Sequence, residues 1–152
     1  MSIEVRVVKF AELEGASNFD MLAAEYAAEA GLLGMPKPKA HLETYRALDN
    51  AGVTVTLCAF LGGEIIGFLL ITVGIIPHYS VPVAHLESFF VMKEHRTTGA
   101  GLRLLSAAED AAKEKNAVGM MISAAVGGSL ELILSKMSRY SKTHVGFFRR
   151  IE

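Results

Sequence analysis

The segment HRTTGAG, residues 95–101, places an arginine, two threonines and two glycines just before a stretch with the periodicity of a helix. The first turn of a helix leaves backbone N–H groups without internal partners, and the positive end of the helix dipole lies behind them. Gly99 and Gly101 would let an anion approach these groups without a Cβ in the way, Arg96 would add a charged donor, and the threonines would add hydroxyl donors. The segment therefore predicts a site for a phosphate or a pyrophosphate.

A plain strand-to-helix turn, with Gly99 as a flexible joint, explains the same residues nearly as well. The dinucleotide-binding pattern Gly-x-Gly-x-x-Gly is broken at Leu104, and no Gly-Lys-Ser or Gly-Lys-Thr follows as in a nucleotide-binding P-loop. The residues by themselves therefore indicate an anion site, for which a nucleotide is one candidate ligand, and identify no particular ligand.

The elements that must position this segment follow from the hydrophobic periodicity. The predicted order is a strand at 3–10, helices near 17–31 and 39–51, strands at 53–60, 65–75 and 83–92, a helix at 100–115, a strand at 118–125, a short helix at 130–137 and a final strand, THVGFFRRI. Three successive strands in the middle of the chain argue against a purely wound β-α-β fold. They predict a mixed α+β sheet with helices on its faces.

Length, composition and charge bound the class of protein. The 152 residues suit one domain, and 51% of them are hydrophobic and 20% charged, which argues against disorder. The net charge of -1 argues against nucleic-acid binding. Residues 133–151 nevertheless hold five basic residues and no acid, which would suit either a solvated basic face or a contact with an anionic cofactor or acceptor. The apolar stretch Ile65–Ile76 is too short and interrupted to span a bilayer, and no signal-peptide core is present. We therefore expect a cytoplasmic protein.

The cysteine and the histidines do not form a recognisable metal motif. Cys58, the only cysteine, lies in the apolar stretch VTVTLCAF and is expected to be an inert core residue. The histidines show no metal-binding spacing: His41, His78, His85, His95 and His144. No metal is expected.

The residues from Arg96 to Gly101, after a strand that ends in Val91, resemble the Q/R-x-x-G-x-G/A motif of the GCN5-related N-acetyltransferase (GNAT) family. The order of the elements resembles that family over nearly the whole chain. The resemblance implies one GNAT-like α+β domain over residues 1–152, with a mostly antiparallel twisted sheet, splayed middle strands and helices on both faces. It also implies acetyl-CoA as co-substrate and a primary amine as acceptor.

The same resemblance implies how the cofactor is held. The glycine-rich loop and the following helix would bind the pyrophosphate, and the strand before the loop would lend backbone groups to the pantetheine arm. That strand would splay from the strand at 118–124, with the thioester in the gap. The implied contacts are Phe89, Phe90, Val91, Met92, Arg96, Thr97, Thr98, Gly99, Ala100 and Gly101, with Ser123 and Ser129 as weaker candidates.

His85 and Glu87 are candidates for the base that acetyl transfer to an ammonium group requires. They lie two residues apart on one predicted strand, so their side chains are expected on the same side. GNAT enzymes often carry their base on this strand. Glu87 is expected to be partly buried between Leu86 and Phe89, or else to be a structural carboxylate bonded to a neighbouring strand or to His41.

The proton donor to the leaving thiolate departs from the family pattern. Many members have a tyrosine in the helix before the last strands, whereas this chain has Ser135 near that place and Tyr140 a few residues later. Water, Tyr140 or no specific group would then protonate the thiolate.

The predicted acceptor walls, near 32–39 and 77–83, contain few acids and no cage for a polycation. A small amine, an antibiotic, a protein N-terminus and a lysine all stay open as acceptors.

Two other interpretations stay open at the level of the sequence. The chain could be a non-catalytic acyl-CoA-binding module that senses the cofactor or joins an assembly, because the usual tyrosine is missing. It could also be a nucleotide-binding protein that uses the same turn for a ligand such as ADP. Homodimers are common in the GNAT family, and the apolar final strand would suit one.

Overall fold

A computed structural model describes all residues of the chain, 1–152, as a five-stranded sheet with helices. Its elements are β1 Glu4–Val8, α1 Phe10–Glu14, α2 Phe19–Glu29, α3 Leu42–Asn50, β2 Thr54–Leu61, β3 Glu64–Ile76, β4 Val81–Val91, a 3₁₀ helix Lys93–Thr98, α4 Ala100–Glu114, β5 Met120–Met121 and α5 Ser129–Lys136. The strands lie side by side in chain order. The first three pairings are antiparallel and the pairing of β4 with β5 is parallel, which confirms the predicted mixed, mostly antiparallel sheet.

Helices pack on both faces of this sheet. On one face, the ring of Tyr26 in α2 lies 5.5 Å from that of Phe68 in β3 and 6.1 Å from that of Phe90 in β4. On the other face, α4 approaches so closely that a Cβ added at Gly101 would lie 3.5 Å from the Phe89 ring. Neighbouring residues of a strand point to opposite faces, so Phe89 packs towards α4 and Phe90 packs towards α2.

The core lies between the sheet and these helices. Leu57, Leu69 and Ile71 in the sheet and Leu104 in α4 are at most 1% exposed. Burial of each such side chain stabilises the fold by about 2 kcal/mol. Cys58 is fully buried in β2, as expected for a core residue.

The fifth strand is much shorter than predicted. β5 pairs with β4 only at Ala84 with Met120 and at His85 with Met121, and residues 122–125 form no strand. A bulge follows directly in β4, because the pairing with β3 shifts between Leu70 and Ile71. A bulge bends and twists its strand, so β4 turns away from the chain after β5 and the two separate.

Two other predictions near the ends of the chain are wrong. The first strand ends at Val8 instead of residue 10, because the next residues form the short helix α1. The final strand, THVGFFRRI, is not a strand: residues 141–152 have no regular secondary structure. Alternation of side chains makes a segment suitable for a sheet, but a strand also needs a partner edge, and the two-residue β5 offers almost none.

None of the helices combines the length and the apolar character that crossing a membrane would require.

Candidate active site

The glycine-rich loop forms the predicted strand-to-helix junction. The 3₁₀ helix ends at Thr98, and Gly99 then adopts φ 83° and ψ 3°, a left-handed conformation that glycine adopts readily. The first α-helical hydrogen bond of α4 runs from Arg103 N–H to the Gly99 carbonyl, over 3.1 Å. The N–H groups of Ala100, Gly101 and Leu102 therefore precede the helical ladder, at the positive end of the helix dipole. This is the geometry of an anion site.

The threonine next to this glycine stabilises the turn itself. The Thr98 hydroxyl donates to the His95 carbonyl over 2.6 Å and lies 3.4 Å from the Ala100 nitrogen, whose N–H is directed at it. Thr97 is exposed and makes no such bond; it lies at the rim of the groove described below. Of the two predicted hydroxyl donors, Thr97 is thus the one left for a ligand.

Arg96 binds within the protein. Its Nε donates to the Val91 carbonyl over 2.9 Å, and a terminal nitrogen of its guanidinium lies 2.5 Å from Glu29 Oε2, at the end of α2. Lys93 lies 3.7 Å from the same carboxylate. The Arg96 and Glu29 side chains are 43% and 35% exposed, so solvent screens this ion pair and it stabilises the fold only weakly. An anion at the glycine loop would compete with Glu29 for the guanidinium.

A groove of about 320 Å³ begins at this loop and runs between α4, β4 and α5. One end is formed by the loop, and the remainder is mostly apolar. Its lining residues are Phe89, Arg96, Thr97, Gly99, Gly101, Leu102, Leu105, Leu130 and Ile133. A polar, N–H-rich end joined to an apolar channel suits a ligand with an anionic head and a long, mostly neutral arm.

The edge of β4 supplies backbone groups beside this groove. Met92 N–H donates to the Ile66 carbonyl, towards β3, so alternation directs the peptide groups of Phe89 and Val91 to the opposite edge. β5 does not reach that part of β4. The predicted backbone contacts therefore divide into two kinds: the peptide groups of Phe89 and Val91 face the gap, whereas those of Phe90 and Met92 face β3. Arg96 already binds the Val91 carbonyl.

Glu87 lies at the bulge, close to the point where β4 and β5 separate. Its side chain is exposed and does not lie buried between its strand neighbours, so that expectation is wrong. The bulge adds a residue to the strand and lets the side chain project outward. The Tyr45 hydroxyl, on α3, donates to Glu87 Oε1 over 2.6 Å. Burial, and then the hydrogen bond to this carboxylate, raise the pKa of Tyr45 well above its usual range.

The other candidate base, His85, is exposed, and its side chain makes no hydrogen bond. It pairs with Thr72 in β3, whereas Glu87 is the extra residue of the bulge. Alternation alone therefore does not fix their relative directions, and the shared side stays a prediction. His41 does not contact Glu87 either, because its ring is bonded to Thr44 Oγ1 at 2.7 Å. The partner of Glu87 is Tyr45, one helical turn further along α3, which sequence reasoning missed.

Tyr140 fastens the C-terminal segment to α4. Its hydroxyl donates to Glu109 Oε1 over 2.5 Å, and Arg139 Nε lies 3.0 Å from the same oxygen. Burial, and then this hydrogen bond, raise the pKa of Tyr140 above its usual range. Ser123 and Ser129 are both exposed, the first two residues beyond β5 and the second at the start of α5.

A larger cleft, of about 500 Å³, lies elsewhere, between the end of β1, the start of β2 and the C-terminal ends of α3 and α4. Two of its polar groups are engaged within the protein, since Asp49 accepts the Phe10 N–H and Lys115 donates to the Gly52 carbonyl. None of the predicted site residues lines it. We place the candidate site in the smaller groove, which joins the N–H groups of α4 to the open edge of β4. No cluster of histidine, cysteine and carboxylate side chains suited to a metal ion is present.

Comparisons with known proteins agree with this fold. Residues 19–129 match the model of the acetyltransferase (GNAT) family, so the chain belongs to that family. Membership makes it an acetyl-CoA-dependent N-acetyltransferase. Among curated proteins, none matches this sequence significantly.

Several solved structures share the fold. An aminoglycoside acetyltransferase from an uncultured soil metagenomic sample superposes with a TM-score of 0.75 at 18% identity, over 99% of this chain and 97% of that one. Ribosomal-protein-alanine N-acetyltransferase from Brucella melitensis biovar Abortus 2308 gives 0.73 at 17% identity, over 99% and 100%. AAC(6')-Iy, solved with the bisubstrate analogue CoA-S-monomethyl-acetylneamine, gives 0.75 at 20% identity, over 100% and 99%.

Proposed function

We propose that this chain transfers an acetyl group from acetyl-CoA directly to a primary amine, with both substrates bound together and Glu87 as the base. The observation that carries the proposal is the position of Glu87. Its exposed carboxylate projects from the β4 bulge, beside the gap between β4 and β5, and a tyrosine hydroxyl binds it on one side. A carboxylate placed there can reach an amine that approaches a thioester in the gap.

The residues present fit acetyl-CoA. The N–H groups of Gly101 and Leu102 would bind the pyrophosphate, with Thr97 at the rim, and the Ala100 N–H would have to leave the Thr98 hydroxyl to join them. The peptide groups of Phe89 and Val91 would hold the pantetheine arm along the groove, and the arm would have to share the Val91 carbonyl with Arg96. The bound cofactor supplies an activated acyl group. The protein orients that group and the amine so that they meet.

The transfer also requires protons to move. Glu87 accepts a proton from the acceptor's ammonium group, which leaves a nucleophilic amine. The amine nitrogen forms a bond to the acetyl carbonyl carbon, and the carbon–sulfur bond breaks. The nitrogen releases its second proton to water, and the leaving thiolate accepts a proton. Glu87 finally returns its proton to water.

We propose that the thiolate takes its proton from water. An alkyl thiol has a pKa of roughly 8.5, so its thiolate is a weak base that needs no strong acid near neutral pH. A role for Tyr140 as the acid stays a prediction, and its hydroxyl would first have to leave Glu109. Substitution Tyr140→Phe tests it: if water suffices, the rate of transfer changes by less than roughly twofold.

For the acceptor we favour a monoamine over a polycation. The segment between α2 and α3 contains Lys37 and Lys39 and no acid, and Leu33 and Met35 expose their side chains there. A polycationic aminoglycoside would need several carboxylates to replace its hydration. The related structures named above carry aminoglycosides and a ribosomal protein in their names, so both classes belong in the test.

The test is thiol release from acetyl-CoA in the presence of an amine panel: kanamycin, tyramine, a peptide with N-terminal alanine and a lysine peptide. We expect transfer to at least one monoamine, lost in Glu87→Gln while the variant still binds acetyl-CoA. Binding without turnover for every amine would instead favour a non-catalytic acyl-CoA-binding module. Stabilisation by ADP equal to that by CoA would favour a nucleotide site.

The C-terminal segment suggests a homodimer. Residues 141–152 make no backbone hydrogen bond, and the apolar side chains Val145, Phe147 and Ile151 are 70%, 95% and 81% exposed. An apolar strand-like segment with unpaired backbone groups is suited to pairing with a second copy. Sedimentation should give a dimer for the wild type and a monomer for Phe147→Asp. A monomeric wild type would contradict this.

The lone buried cysteine suits a reducing compartment, and we propose the cytoplasm as the location of this protein.

A further inference from the structure

Glu87 is the one residue of β4 that pairs with no residue of β3. Leu70 pairs with Ser88 and Ile71 pairs with Leu86, so Glu87 is the extra residue of the bulge. The ladder fixes the side-chain directions of its neighbours, but it does not fix the direction of this carboxylate. A group that must meet a substrate within a fraction of an ångström needs another contact to orient it.

That contact comes from Tyr45, which lies 42 residues away in the chain. Its hydroxyl donates to Glu87 Oε1 over 2.6 Å, and the carboxylate makes no other hydrogen bond. The Tyr45 ring is half-buried and stacks on the Phe10 ring, with 5.2 Å between centroids and 16° between planes. The Phe10 N–H in turn donates to Asp49 of α3 over 3.3 Å. The hydroxyl is therefore held by two helices packed on each other.

We propose that Tyr45 is the positioning residue of Glu87: it fixes the carboxylate through Oε1 and leaves Oε2 for the acceptor's ammonium group. This inference rests on the proposed role of Glu87 as the base. A phenol donates one hydrogen bond, and a carboxylate has two oxygens that accept, so the bond to Tyr45 leaves one oxygen free.

The surroundings of Tyr45 keep it a donor. Because its pKa is raised, first by burial and then by its bond to Glu87, the hydroxyl stays protonated throughout the neutral range. The other titratable group that acts on Tyr45 is Tyr26, on α2. The pKa of Tyr26 is raised by burial and then by the charge of Glu87, yet its hydroxyl makes no bond to that carboxylate. Tyr26 is therefore the matched control.

The experiment follows the Glu87 carboxyl carbon by NMR in protein labelled with ¹³C-glutamate, at neutral pH and without acceptor. The resonance is assigned by its absence in Glu87→Gln. In Tyr45→Phe, which keeps the ring and its stacking, we expect the resonance to move, because the carboxylate loses its one hydrogen bond. In Tyr26→Phe it should stay where it is in the wild type.

A second measurement does not depend on the folding of Tyr45→Phe. In Glu87→Gln the Tyr45 hydroxyl should ionise at lower pH than in the wild type, because the carboxylate that opposes its ionisation is gone. With an acceptor from the amine panel, kcat should fall roughly tenfold in Tyr45→Phe, while the KM for acetyl-CoA stays as in the wild type.

A Glu87 resonance that does not move in Tyr45→Phe, or one that moves equally in Tyr26→Phe, would overturn the inference. These results are separate from the test of the proposed function. Loss of transfer in Glu87→Gln together with an unmoved resonance in Tyr45→Phe rejects the role of Tyr45 alone. Retained transfer in Glu87→Gln rejects Glu87 as the base, whatever Tyr45→Phe does.

Discussion

The two ends of the candidate site are built from different parts of the chain. At the cofactor end, the groups aimed at the groove are backbone groups: the first N–H groups of α4 after Gly99, and the peptide groups on the open edge of β4. At the acceptor end they are two side chains, the Glu87 carboxylate and the Tyr45 hydroxyl that binds it. The cofactor end therefore depends on the path of the backbone, and the acceptor end depends on functional groups.

The polar side chains at the cofactor end also serve the backbone. The Thr98 hydroxyl donates to the His95 carbonyl within the turn, and Arg96 joins the loop to the end of α2 through Glu29. Both stabilise the path of the backbone that presents the N–H groups. Substitutions should therefore separate the two ends: those at the acceptor end change the rate of transfer, and those at the cofactor end change affinity.

The largest effect is expected for Glu87→Gln. Loss of a general base lowers the rate roughly 10²- to 10⁴-fold, while the amide keeps the size of the side chain. Acetyl-CoA affinity, measured by calorimetry, should stay within roughly twofold of the wild type, since the cofactor contacts are backbone groups elsewhere. A variant that loses affinity and rate together would show that the two ends are not separable.

The next effect is expected for Gly99→Ala, with Gly63→Ala as the control. Both glycines have positive φ, 83° and 85°, and a Cβ at either would meet nothing within 4 Å. Each substitution should lower the free energy of unfolding by about 1–2 kcal/mol through backbone strain. Only Gly99→Ala should also weaken acetyl-CoA binding, by roughly tenfold, as the loop relaxes. Equal affinities in the two variants would mean that the loop does not bind the cofactor.

A smaller effect is expected for Glu29→Gln. This change releases Arg96 from a partly exposed ion pair, so the guanidinium can turn to the pyrophosphate. Acetyl-CoA should bind roughly twofold tighter at low ionic strength, and the gain should fade as salt screens the charges. Weaker binding in this variant would show that the ion pair is needed to shape the loop.

The smallest effect concerns Cys58, which lies in the sheet away from both ends. Burial raises the pKa of its thiol to about 12, so the reactive thiolate is scarce in the folded protein at mildly alkaline pH. Iodoacetamide should label it only as fast as the protein unfolds, without loss of transfer in the folded state. Rapid labelling of folded protein that abolishes transfer would place a reactive thiol in the site.

The parts of this molecule that sequence reasoning reached are the local ones. The glycine pattern around Gly99 predicted a strand-to-helix junction, because positive φ and a helix N-terminus leave a local signature. Tyr45 left none, because its partner is 42 residues away and only packing brings the two together. THVGFFRRI alternates as a strand does, yet pairing depends on a neighbouring edge that the bulge in β4 removes.

Thermal unfolding of the wild-type protein with acetyl-CoA, CoA and ADP tests most directly whether the backbone groups after Gly99 form a coenzyme A site. A ligand at a hundred times its dissociation constant adds about 2.7 kcal/mol, which for a domain of this size raises Tm by roughly 5–10 °C. We predict such a rise with acetyl-CoA and CoA and little change with ADP. No rise with any of the three would contradict the assignment, and a rise with ADP as large as that with CoA would contradict its specificity for the pantetheine arm.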